Sequence, residues 1–108
     1  MATMPKTSPR TKSIEVFAEG HAVKDPEYLS KANHEEAEFF STRDVEVVFD
    51  FSEGTPFRNG NRFPVTGGQP ATPSGPMKDT VQVGERYRYH VNPLHGAGGG
   101  ADPTIIVN

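Results

Sequence analysis

The side chains here most capable of acid–base or metal chemistry, four His among 14 Asp and Glu, are spaced to serve neither. The four His residues stand at positions 21, 34, 90 and 95, and there is no Cys. No second imidazole or carboxylate lies at a metal-ligand spacing such as H-x-H. His90 and His95 come closest, five residues apart. Strand alternation, however, sends His90 outward with Arg86 and Arg88, opposite to Tyr87, Tyr89 and Val91, and so separates the two imidazoles. His21, His90 and His95 remain as surface candidates for a metal-binding or electron-transfer role, the alternative reading. For catalysis, His95 and Asp102 could approach each other, yet no Ser or Cys is placed by any motif to use them. The run Gly96-Ala97-Gly98-Gly99-Gly100 lacks the Lys-Ser/Thr that a phosphate-cradling loop carries and opens no helix. The expectation is a protein that is not an enzyme and has no cofactor.

The elements that must position these residues are strands. At 108 residues, with 10 Pro, 11 Gly, no Trp and 33% hydrophobic residues, the composition describes one small loop-rich β domain. The net charge of −3 argues against a general nucleic-acid or anionic-membrane surface. Neither a signal peptide nor a run approaching the ~20 apolar residues of a membrane span is visible, so a soluble, cytoplasmic protein is expected from the chain as written.

Residues 1–12 hold two Pro and several Ser and Thr with almost nothing to bury, and are expected to form a flexible basic tail ahead of a domain spanning 13–108. Ile14, Val16 and Ala18 then alternate with Glu15, Phe17 and Glu19 as a strand ending at Gly20, and Asp25-Pro26 marks a turn. Tyr28 to Ser30 and Ala37 to Phe40 follow as strand regions, with His34-Glu35-Glu36 a polar turn between them. The cleanest period of two places Val45, Val47, Phe49 and Phe51 on one face and Asp44, Glu46, Val48 and Asp50 on the other. Residues 66–78 hold three Pro and three Gly and are expected to be a loop. Val81 and Val83 begin a further strand, Tyr87, Tyr89 and Val91 form the inward set of the next, and Thr104 to Val107 the last. About seven strands with these turn signals predict an antiparallel two-sheet sandwich.

The segment from Tyr87 through Asn92-Pro93-Leu94-His95-Gly96-Ala97-Gly98-Gly99, followed by an apolar strand, resembles the end of a plastocyanin-type cupredoxin. There, Tyr-x-Phe-x-Cys leads into Cys-x-Pro-His-x-Gly-Ala-Gly-Met. The stretch Val45-Glu46-Val47-Val48-Phe49 is similar to the same family's His-Asn-Val-Val-Phe segment. The resemblance implies a Greek-key sandwich in which Val45, Val91, Leu94 and Gly99 occupy the four copper-ligand positions. None can bind copper, which needs thiolate, imidazole and thioether donors. The resemblance thus implies a metal-free cupredoxin-like domain with Val91 and Leu94 plugging the former metal end. Its copper-carrying members are mostly periplasmic, lumenal or extracellular.

With no catalytic or metal constellation, surface is the resource left, and the expected function is a protein-binding or structural module. Its partner is expected to be another protein or a second copy, reached through loop 66–78 and the tip around Leu94-His95-Gly96. Arg86, Arg88, His90, Leu94 and His95 are the candidate contacts. The outward stripes Asp44, Glu46, Asp50 and Arg86, Arg88, His90 are expected on opposite sheets, giving a two-faced electrostatic surface.

Overall fold

The computed structural model describes residues 10–93 and 102–108. Nine strands and no helix occur among them: β1 (Thr11–Glu15), β2 (Glu27–Leu29), β3 (Glu36–Phe40), β4 (Val45–Val48), β5 (Arg62–Val65), β6 (Thr72–Gly75), β7 (Arg86–Arg88), β8 (His90–Pro93) and β9 (Thr104–Val107). They form three small sheets, with strand orders β1-β3-β6, β2-β9-β7 and β5-β4-β8. The all-β expectation holds, whereas a single pair of purely antiparallel sheets is not what these strands form. β1 pairs with β3, and β2 with β9, in parallel. Parallel neighbours need a crossover between them, and here β2, lying in another sheet, is part of the connection from β1 to β3.

Alternation sets what each strand buries. Ile14, Ala37, Phe39, Val45, Val47, Phe63, Val65, Tyr87, Val91, Ile105 and Val107 all point into one apolar cluster. Each large apolar side chain buried this way contributes about 1.5–3 kcal/mol. At its centre Phe39, Phe49, Phe57, Phe63 and Tyr89 meet with ring centroids 4.9–6.4 Å apart, mostly tilted or edge-on. Such geometries align ring edges with ring faces and add to what burial alone provides. A chain with neither Cys nor Trp thus fills the centre of its core with Phe and Tyr, surrounded by aliphatic side chains.

Strand ends are fastened by side chains. Asp44 accepts from the Gly67 amide, Glu35 from Ser30, Asp25 from Thr104 and Glu85 from Gln82, at 2.6–3.0 Å. Ser74, fully buried, donates to the Gly75 carbonyl and accepts from the Ala37 amide. Backbone groups at the ends of short strands would otherwise lose their partners.

Several expectations are corrected here. β1 begins at Thr11, inside the stretch read as tail, and Lys12 reaches the Tyr28 carbonyl at 2.8 Å. Of the remaining tail residues, Arg10 is exposed in a turn and 1–9 lie outside the described residues. The Pro-rich stretch 66–78 is not all loop: Thr72–Gly75 pairs with β3 across an irregular register. Pro73 is tolerated because β6 is an edge strand. Gly75 suits that position, since its φ of +75° is one that other residues rarely adopt and a Cβ would have to displace the Asn59 side chain. Val81 is buried but begins no strand, and Val83 is 68% exposed. Val48, read as outward, is buried, flanked across the sheet by Arg62 and His90.

Candidate functional site

A dense set of polar contacts on the surface grows from the end of β4. The strand stops at Val48, and the chain turns at Phe51–Gly54, where the Gly54 amide donates to the Phe51 carbonyl at 2.9 Å and Gly54 has φ +79°. The turn breaks the period of two. Phe49 stays in the core, and Phe51 lies half-buried at the surface instead of following it inward.

There Phe51 stacks on the His90 ring at 4.4 Å, and the Arg88 guanidinium lies 4.3 Å from its centroid. Glu53 accepts from Arg88 three times: from Nε at 2.8 Å, from Nη2 at 3.0 Å and from the backbone amide at 3.0 Å. The bidentate fork fixes the guanidinium over the ring, and the backbone contact occupies an amide at the edge of β7. The Arg88 hydrogen bonds hold the Glu53 carboxyl down at about 2. The same contacts shift Arg88 upward.

His90 is held on both sides. Its Nε2 lies 2.8 Å from Asp50 and its Nδ1 3.1 Å from Asp102. Both ring nitrogens are therefore engaged by carboxylates, leaving neither open to a substrate. Asp102, paired on sequence grounds with His95, instead joins His90, while His95 lies outside the described residues. The expected separation of acidic and cationic faces is corrected by the same contacts. β8 lies beside β4 in one sheet, so His90 meets Asp50, while Glu53 crosses to Arg88 of β7 and Glu46 pairs with Arg62 at 3.0 Å. The Arg88–Glu53 and Arg62–Glu46 charges neutralise one another locally.

A second surface lies on the outer face of the β2-β9-β7 sheet. Registration places Tyr28, Ile106 and Arg86 in one cross-strand row. Tyr28 is 46% exposed, Arg86 is exposed, and Ile106 between them is nearly covered. Arg86 makes no ion pair among the described residues. On the inner face, burial and a hydrogen bond to Glu85 push the Tyr87 hydroxyl up to about 12. Burial, together with Asp25 and Glu27, raises Tyr89 further still.

The other sequence candidates are dispersed. His21 is exposed and lies tilted against the Phe17 ring at 4.6 Å. His34 sits in the turn after β2 with φ +54°. Among the described residues no three His, Asp or Glu side chains are grouped to hold a metal ion. Val45 and Val91 are buried on adjacent strands, and Val45 lies opposite Pro93. Leu94 and Gly99 lie outside the described residues.

Sequence reasoning missed Phe51 and Glu53 because the signal for their turn, Glu53-Gly54, marks a strand end but not the direction the ring then takes. It missed the Tyr28–Ile106–Arg86 row because parallel partners are set by tertiary packing. Among the described residues no helix is long and apolar enough to cross a membrane. The chain matches no family model, no curated protein and no solved structure.

Proposed function

We propose that this chain is a non-catalytic, metal-free protein-binding module on a cupredoxin-like sandwich, and that its partner docks on the outer face of β2-β9-β7. The observation that carries this reading is the row Tyr28, Ile106 and Arg86. It presents an exposed aromatic ring and a guanidinium without an ion-pair partner among the described residues, set on either side of an aliphatic residue. Tyr and Arg are the residue types that most often dominate binding energy at protein interfaces. Strand backbone holds all three in register, so little conformational freedom is lost on docking.

Arg88 and His90, expected as free contacts, are engaged with Glu53, Asp50 and Asp102 and serve better as supports of the neighbouring surface. The cupredoxin-like reading draws support from the burial of Val45 and Val91 on adjacent strands, two register steps apart, where metal ligands would stand. The test is capture of one stoichiometric protein partner by the wild type and by Tyr28→Ala/Arg86→Glu. Capture lost in the double variant, with its amide spectrum intact, supports the reading. Capture retained sinks it, and a concentration-dependent dimer abolished by the same changes identifies the partner as a second copy.

A further inference from the structure

We propose a second binding site, for a small phosphate-type oxyanion, in a cleft of about 190 Å³ between the turn after β2 and the segment after β6. Lys31, His34, Arg58 and Lys78 line it, together with the carboxylates of Glu36 and Asp79. At roughly 30 Å³ of liquid per water, the space corresponds to on the order of six waters, room for a phosphate and part of what it is esterified to. Three permanent cations outnumber two carboxylates there, on a protein whose net charge is −3.

The charges are also distributed unevenly. Asp79 is taken by the Arg58 guanidinium at 2.5 Å, whereas Lys31 and Lys78 have no ion pair within 4 Å among the described residues, Lys31 acting on the Glu85 carboxylate only at longer range. Ammonium groups are donors only, and the charged oxygens of a phosphate are acceptors, so the two Lys with His34 beside them form a matched set.

The backbone that carries these groups is fixed before any ligand arrives. The Lys31 amide donates to Asn108 at 3.0 Å, and the His34 amide closes the turn onto the Lys31 carbonyl at 3.1 Å. Across the cleft the Lys78 amide donates to Pro56 at 2.8 Å and the Arg58 amide to Pro76 at 3.0 Å. Glu36 is the carboxylate left in the lining without an ion-pair partner among the described residues, and it opposes an anion. This site does not depend on the protein-binding face.

The experiment is a titration of isotope-labelled protein with sodium phosphate, against sodium chloride at matched ionic strength, followed by amide shifts. Saturable shifts at Lys31, His34, Lys78 and Asp79 are expected with phosphate alone. Lys31→Ala/Lys78→Ala, two substitutions at side chains reaching solvent, weakens binding about tenfold or more, and Glu36→Gln strengthens it. Shifts reproduced by chloride, binding that survives the double substitution, or an affinity unchanged by Glu36→Gln each overturn the proposal. Phosphoserine as a second probe separates the sources: tighter binding than phosphate identifies an esterified phosphoryl group, and weaker binding the free anion.

Discussion

Phe49 and Phe51 belong to one alternating run and end in opposite surroundings. Phe49 is sealed among four other aromatic rings, and Phe51 lies half-buried at the surface, in contact with Arg88 and His90. In the first region stability comes from area removed from water and close packing. In the second it comes from charge, hydrogen-bond geometry and protonation state. The two regions should therefore respond to different perturbations, the core to loss of volume and the surface cluster to pH and salt.

The largest expected effect is Phe49→Ala, which leaves a cavity ringed by aromatic side chains and should cost about 3–5 kcal/mol in denaturant unfolding. Phe51→Ala should cost only about 0.5–1.5 kcal/mol, the scale of a single aromatic stacking contact. Equal losses at the two positions would erase the distinction between the regions.

Tyr89→Phe sharpens the comparison from inside the core. The Tyr89 hydroxyl is buried with no hydrogen-bond partner among the described residues. Removing an unsatisfied buried hydroxyl should raise stability by about 1 kcal/mol, read as a higher denaturant midpoint at an unchanged slope. A lower midpoint would mean that the hydroxyl has a partner in solution and that the core is not dry.

Protonation gives the smallest effects. Glu53 is held at about 2, against an ordinary 4.5. Its stabilising contribution is complete above the ordinary value and is lost as pH falls from there through about 2. Denaturant midpoints of wild type and Glu53→Gln should converge over that acid window, while Phe49→Ala stays offset throughout. At the other end, Tyr87 is raised from 10.0 to about 12, so the contribution of its neutral hydroxyl is complete below 10 and drains away as pH rises through 12. Tyr87→Phe should reduce the alkaline loss, leaving the part that the raised Tyr89 contributes.

Legibility in the sequence followed the same division. The inward phases of Ile14, Val16, Val45, Val47, Phe49, Tyr87, Tyr89 and Val91 were readable because a strand has one period and water enforces it. The last strand was read at its observed bounds, Thr104–Val107. Phe51 defeated the same reasoning at the first residue where a turn replaced the strand. The candidate site was legible only as residue types. Arg88 and His90 were singled out, but as free cations, because their carboxylate partners stand 35 residues away for Glu53 and 12 residues away for Asp102.

The sequence alone determined that this is an all-β chain whose core must be built from Phe, Tyr and branched aliphatics, because alternation and composition are local properties. Only the tertiary structure decided that β1 and β2 take parallel partners, that Pro73 enters a strand, and that opposite charges meet on one surface. Those outcomes depend on which distant segments pack together. A period of two states that a residue faces inward or outward, and carries no information about what it will face.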